Sequence, residues 1–277
     1  MAKTLMTRER ALRWLLRAAA IAAAGVLLNV VVFVVVLSRD ALPGDRAPHA
    51  GAALRALPLV EQTPPVMSAA APMVIYYTGD NGWQDGDLAF VHGFNRFGAP
   101  VVVIDSLHYF VRAHAAGDAA ADLARVIDRY SAVWGPRRIV LAGYSYGADV
   151  APVLARRLAP DLRARIALVA MIAPVGRAEL VIRPWSLLNV IDDPHAYSVR
   201  SELEHLRGLP ALCVWGADDP AAACPQFPAN LARPARVAGG HRFVGHRAEV
   251  AQIILQAAGV PAQSANQPLP IGASASP

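Results

Sequence analysis

Residues 137–150 read RRIVLAGYSYGADV, and this stretch decides the fold. The branched aliphatic residues 139–141 predict a buried strand, and residues 148–150 open a helix. Between them, residues 143–147 spell GYSYG, the G-x-S-x-G pattern of a nucleophile elbow in its strand–turn–helix context. Because the sharp turn strains the serine backbone, the residues two before and two after it must lack a Cβ. An ordinary glycine-rich turn is the alternative, but the context favours a nucleophilic Ser145.

Strand and helix patterns alternate on both sides of this stretch. Short apolar runs predict strands at 57–61, 73–77, 101–104, 139–141, 166–172, 211–215 and at Val237. Amphipathic or capped stretches predict helices at 87–97, 118–130, 148–158 and 247–258. This alternation predicts an α/β fold, a mostly parallel sheet with helices on both faces. The irregular segment 175–208 is expected to form a short cap over the site.

The N-terminus carries a run of membrane length. Residues 18–37 are 20 residues long with one polar interruption, Asn29. At about 1.5 Å per residue, a helix of this length crosses the ~30 Å hydrocarbon core. Five basic residues precede the run in segment 1–17, which predicts a cytoplasmic N-terminus and a domain on the far side of the membrane. A cleaved signal peptide is the alternative, although its apolar run is usually roughly 7–15 residues.

Composition divides the rest of the chain. Residues 38–56 are rich in Pro, Gly and Ala and predict a linker, 57–260 form the folded domain, and 261–277 form a disordered tail. The formal charge of +5 lies mainly in segment 1–17, which holds five of the 26 basic residues and one of the 21 acidic ones. The near-neutral remainder gives no reason to expect binding to nucleic acid.

Two further features follow in the order serine, acid, histidine, which is the order of α/β-hydrolases. Asp219 comes three residues after Gly216 at the end of a predicted strand, and His241 follows two glycines after a short strand. A serine hydroxyl needs a base to become nucleophilic, and a carboxylate orients that base. We therefore expect an α/β-hydrolase with a catalytic triad. Asp218 is the rival acid, because neither charge nor loop type separates the two neighbours.

The oxyanion hole is expected to combine the backbone N–H groups of Tyr146 and Asp80. Asp80 belongs to residues 78–83, TGDNGW, which follow the first strong strand. Its carboxylate either turns outward to cap the next helix or binds a cationic part of the substrate. Candidate substrate contacts at the same edge of the sheet are Gly79, Trp83 and Asp105.

The two cysteines, Cys213 and Cys224, flank the predicted acid loop. Outside the cytoplasm such a pair is expected to be oxidised, which would close a loop of about a dozen residues and contribute on the order of 2–3 kcal/mol. Two free buried thiols are the alternative. No histidine pair shows metal-ligand spacing, so neither a metal nor a cofactor is predicted. The remaining histidines are assigned to the surface or to loops: His49, His92, His108, His114, His195, His205 and His246.

Six stretches together resemble a known family: YYTGDNGW, VVVIDSLHYF, ADLARVIDRY, GYSYGADV, CVWGADD and GGHRF. The chain from about 57 to 258 resembles the AcvB/VirJ-type bacterial virulence family of α/β-hydrolases. The resemblance implies an exported protein of a Gram-negative bacterium, with Ser145 as nucleophile and His241 as base. This chain departs from the family at His108, where members usually have arginine, and in a less acidic loop after Gly216.

Family members of the AcvB type are implicated in removing the lysyl group from lysyl-phosphatidylglycerol. The resemblance thus implies a periplasmic serine hydrolase, anchored in the inner membrane, that cleaves an aminoacyl ester of this lipid. Asp80, Asp105 and Asp149 would suit a lysyl cation, although hydrogen-bonded scaffold is the favoured interpretation of Asp105 and Asp149. The same residues would also suit a general carboxylesterase or lipase. A non-catalytic protein that keeps the fold and docks to a secretion system or an exported protein is a further hypothesis.

Overall fold

The computed structural model describes residues 2–38, 47–183 and 194–261, so parts of the predicted linker, cap and tail lie outside the described residues. Helix α1, Ala2–Ser38, contains the predicted basic segment and apolar run. Within it, Arg10–Leu28 has a mean hydropathy of 1.7, is long enough to cross a membrane and has no part buried against the domain. A helix of this kind near the N-terminus suits either a membrane anchor or a signal sequence.

Residues 47–56, which the sequence predicts to be linker, pack against the folded domain. The short helix α2, Gly51–Leu54, buries Leu54. Arg129 donates from Nε to the carbonyl oxygen of His49 over 2.5 Å, a contact between residues 80 positions apart. The composition of residues 47–56 did not predict this helix, because its ordering depends on contacts with distant residues rather than on a local periodicity.

The main sheet confirms the predicted fold class. The strands of the described chain are β1 Leu59–Gln62, β2 Met73–Tyr77, β3 Val101–Ile104, β4 Ile139–Tyr144, β5 Ile166–Ile172, β6 Arg177–Ala178, β7 Tyr197–Ser198, β8 Ala211–Gly216 and β9 Arg233–Val237. Seven of them form one sheet in the order β1-β3-β2-β4-β5-β8-β9, and all neighbours are parallel except β1 and β3. Because β4 is central, the carboxyl ends of its neighbours surround the turn that follows it.

Helices cover both faces of this sheet, as predicted. After α1 and α2, the described helices are α3 Asp85–Asn95, α4 Ser106–Phe110, α5 Ala116–Trp134, α6 Tyr146–Arg157, α7 Pro160–Ala164, α8 Val199–His205 and α9 Arg247–Ala257. On one face, α5 and α6 bury apolar side chains such as Leu123 and Leu154. On the other face, α3 packs along α9 and buries side chains such as Phe94 and Ile254.

The segment predicted to be an irregular cap contains regular structure in its described parts. Strands β6 and β7 pair antiparallel, and helix α8 packs against α6. Glu202 of α8 is 4% exposed and forms ion pairs with Arg156, at 3.3 Å, and Arg157, at 3.0 Å. The prediction of irregular structure was wrong for α8, because burial of its glutamate depends on two arginines about 45 residues earlier in the chain.

Candidate active site

The turn between β4 and α6 holds Ser145 in a strained conformation. Its backbone has φ 51° and ψ −114°, a region that residues with a side chain rarely occupy. A Cβ on Gly143 would overlap the carbonyl group of Gly147, and one on Gly147 would overlap the carbonyl oxygen of Tyr77. Both glycines of the motif are therefore required by backbone packing, and the serine side chain stands at the carboxyl edge of the sheet.

Ser145, His241 and Asp219 meet at this edge. The Ser145 hydroxyl lies 3.0 Å from Nε2 of His241, and Nδ1 of His241 lies 2.8 Å from Oδ2 of Asp219. The carboxylate is 2% exposed and the imidazole 33% exposed, so the acid is shielded from water and the ring borders solvent. Asp218, the rival acid, is exposed, and the structure places Asp219 against the imidazole instead.

Backbone contacts and a disulfide hold the acid and histidine loops together. The Asp218 amide donates to the carbonyl oxygen of Gly239 over 2.9 Å, and a Cβ on Gly216 would overlap that same oxygen. Cys213 and Cys224 form a disulfide that closes the acid loop, so the predicted bridge is confirmed and the free-thiol alternative is wrong. The backbone contacts hold the acid loop against the histidine loop, and the disulfide fixes the acid loop itself.

A cavity of about 900 Å³ opens beside Ser145. It is lined by residues 79–87, Phe90, Asp105, His108, Tyr144, Ser145, His241, Arg242 and Arg247. The described parts of segment 175–208 do not contribute to this lining. Among residues 2–38, 47–183 and 194–261, no group of three His, Cys, Asp or Glu side chains is arranged to hold a metal ion.

A sequence profile described as "Bacterial virulence protein (VirJ)" matches residues 71–260, well over half of the chain. The chain belongs to this family. Two solved structures of other proteins have a fold similar to that of this VirJ-family protein. Est1E from Butyrivibrio proteoclasticus is 16% identical, with a TM-score of 0.52 over 72% of this chain and 91% of Est1E. TT1662 from Thermus thermophilus is 19% identical, with a TM-score of 0.53 over 79% of this chain and 98% of TT1662. No curated protein matches the chain in sequence.

In the VirJ-family site, residues 79–83 line the cavity. Gly79 lies against the Tyr144 ring and Ser145, and a Cβ added to it would lie 3.8 Å from the serine Cβ. Burial raises the pKa of the Asp80 carboxyl, opposed by its own backbone N–H, by His241 and by the Asn81 backbone. The expectation that Asp80 caps the next helix was wrong, since Gln84 and its partner Asp87 form the capping box of α3.

Asp105 and Trp83 belong to one hydrogen-bonded unit in the lining of the cavity. The Asp105 carboxylate is buried and accepts from the backbone N–H groups of Trp83, at 3.0 Å, and His108, at 3.1 Å. Burial opposes its ionisation, but these hydrogen bonds and the His108 side chain outweigh burial and lower the pKa of Asp105. The carboxylate therefore orders the loop that carries Trp83.

His108, which the sequence analysis assigned to the surface or a loop, lies on α4 and lines the cavity. Its side chain is 17% exposed, and Nδ1 lies 3.0 Å from Oδ2 of Asp105. One sequence signal could have predicted this position. His108 comes three residues after Asp105, which follows strand β3 and caps α4. The sequence analysis also missed Asp87, Arg242 and Arg247 as lining residues.

Asp149 does not line the cavity. Its carboxylate is 1% exposed and accepts from the backbone N–H groups of Val175, at 3.1 Å, and Gly176, at 2.8 Å. Burial raises the pKa of Asp149 to about 8, against the lowering effect of these two hydrogen bonds. The side chain joins the first turn of α6 to the loop after β5, so it acts as hydrogen-bonded scaffold.

Proposed function

We propose that this VirJ-family chain is a serine hydrolase that cleaves carboxylic esters. The observation that carries the proposal is the continuous line of hydrogen-bonding atoms from Ser145 Oγ through both ring nitrogens of His241 to Asp219. This arrangement lets the imidazole take the hydroxyl proton at Nε2 while Nδ1–H donates to the carboxylate. The shielded carboxylate then holds the ring and stabilises the imidazolium.

The reaction follows from these positions. Ser145 Oγ attacks the acyl carbon as its proton moves to Nε2, and the carbonyl oxygen becomes an oxyanion. The alcohol leaves with that proton, and the acyl group remains on the serine. Water then attacks the acyl-enzyme with His241 as base, which releases the acid and restores the hydroxyl.

The oxyanion is proposed to be held by the backbone N–H groups of Tyr146 and Asp80. Tyr146 is the first residue of α6, where the helix dipole favours negative charge. The Asp80 carboxyl accepts from its own backbone N–H, so it must turn away before that group can bind the oxyanion.

The substrate is proposed to be an aminoacyl ester of phosphatidylglycerol, with a lysyl acyl group. Support comes from family membership and from α1, which would hold the domain beside a lipid surface. The cavity also presents carboxyl groups to an ammonium, at Asp80 and Asp85. Gly79 and Trp83 are proposed to border the acyl group, with Asp105 ordering the Trp83 loop.

The chain is proposed to be a single-pass inner-membrane protein with a periplasmic domain. The basic residues before the apolar run of α1 favour a cytoplasmic N-terminus. The Cys213–Cys224 disulfide suits an oxidising compartment.

Vesicles containing lysyl-phosphatidylglycerol test the substrate. The full chain in such vesicles should release lysine, whereas Ser145→Ala should release none. Matched vesicles with a neutral diacylglycerol are the control for acyl preference. Release of fatty acid from the control lipid with no release of lysine would identify a general carboxylesterase instead. In cells, replacing the native chain by Ser145→Ala should raise the content of the aminoacylated lipid.

A further inference from the structure

Arg247 is a cationic group in the wall of the cavity that opens beside Ser145. It is the first residue of α9, and its guanidinium lies over Gly86, where an added Cβ would be 3.0 Å from Nη2. The guanidinium carbon lies 5.8 Å from the centre of the Phe90 ring. The side chain thus crosses from α9 to the first turn of α3 at the edge of the cavity.

The helix dipoles do not favour a cation at this position. Gly86 lies by Arg247 and Gly93 lies by Ala251, so α3 and α9 run side by side in the same direction and both begin at the cavity. The N-terminus of a helix carries partial positive charge and disfavours a cation. Local helix stability therefore does not explain an arginine here.

No direct counter-ion in the described chain explains it either. The Nε atom of Arg247 is buried and has no hydrogen-bond partner among the described residues, and no described carboxylate forms an ion pair with the guanidinium. Asp87 is close enough for its carboxyl pKa to be affected by the arginine, but its oxygens accept from the Tyr76 hydroxyl, at 2.7 Å, and the Gln84 amide, at 2.9 Å. The guanidinium in the cavity wall therefore has no anionic group paired with it among the described residues.

We infer that Arg247 binds an anionic oxygen group of the substrate, of the phosphate or carboxylate class, and selects esters that carry such a group. The inference rests on the proposed ester hydrolysis, since it assigns a specificity role within the same cavity. A guanidinium offers a planar set of N–H donors that matches such oxygens in a bidentate manner. The absence of a side chain at Gly86 leaves the guanidinium its place against α3.

Two esters with the same acyl group test this selection: an acyl ester of glycerol, and the same ester of glycerol 3-phosphate. The wild-type chain should show a kcat/KM about tenfold or more higher for the phosphate ester, since charge-assisted hydrogen bonds contribute at this level. Arg247→Gln should bring that ratio close to one by lowering kcat/KM for the phosphate ester at least about tenfold more than for the glycerol ester. Arg247→Lys should keep part of the preference. Arg138→Gln removes an exposed arginine outside the cavity and should leave both rates unchanged.

Binding separates this inference from the proposed reaction. Calorimetry with glycerol 3-phosphate should show binding to Ser145→Ala, and at least about tenfold weaker binding when Arg247→Gln is added. Glycerol is the neutral control and should not bind. Equal affinities with and without the arginine, or no phosphate preference in wild type, would overturn the inference. Loss of ester cleavage with this binding intact would instead count against the proposed function alone.

Discussion

The backbone conformation of Ser145 predicts that a glycine variant is more stable than an alanine variant at this position, which is the reverse of the usual order of stability. At φ 51° and ψ −114°, a residue with a Cβ is strained by about 1–3 kcal/mol. Glycine avoids this strain but loses more conformational entropy on folding, about 0.5–1 kcal/mol. Ser145→Gly and Ser145→Ala both lose the same 3.0 Å hydrogen bond to His241. The difference leaves Ser145→Gly more stable than Ser145→Ala by about 0.5–2 kcal/mol.

Thermal unfolding of the full chain in detergent measures this difference. For a domain of this size, roughly 2–4 °C per kcal/mol gives a Tm about 1–8 °C higher for the glycine variant. Ala121→Gly, at an exposed position of α5, is the matched control and should lower stability by about 1 kcal/mol. If Ser145→Ala unfolded at the same temperature as Ser145→Gly or above it, the strain argument would be refuted.

Three further results are expected. In steady-state kinetics, Asp219→Asn should lower kcat/KM for an ester by on the order of 10⁴, because the imidazole loses its orienting carboxylate. Asp218→Asn is the control and should change kcat/KM little. Joint replacement of Cys213 and Cys224 by alanine should lower the free energy of unfolding in urea by about 2–3 kcal/mol, since the bridge spans 11 positions. Burial raises the pKa of Asp149 to about 8, so the folded chain holds this proton when the unfolded chain has released it. Stability should therefore fall as pH rises from about 4 to 8, and Asp149→Asn should flatten that part of a Tm-against-pH curve.

Each of these has a contrary outcome. Equal losses of kcat/KM in Asp219→Asn and Asp218→Asn would mean that the reaction does not depend on the carboxylate next to the imidazole. A cysteine double variant as stable as wild type would show that the bridge does not limit the unfolded chain. For Asp149, a curve with the same slope in wild type and variant would place the proton on another group.

The sequence predicted the core of the fold well where the signal is local. Strand β2 has the predicted bounds, and the helix predicted at 118–130 is α5, Ala116–Trp134. At Val237 the prediction was too short, because β9 starts at Arg233 and includes Pro234. This strand lies at the edge of the sheet, where a proline needs no ladder partner for its missing N–H.

The site was predictable as far as motif and chain order reach. They brought Ser145, His241 and Asp219 into one hypothesis, but only the structure separates Asp219 from its neighbour Asp218. The place of Arg247 in the cavity wall depends on the packing of α9 against Gly86, 161 positions earlier in the numbering. No local pattern signals a contact of that kind.

Labelling with a serine-directed fluorophosphonate, followed by mass-spectrometric mapping of the modified residue, tests the central claim most directly. The account predicts modification of the wild-type chain at Ser145, no modification of Ser145→Ala, and much slower modification of His241→Ala, in which the base is missing. An unlabelled wild-type chain, or equal labelling of Ser145→Ala, would contradict it.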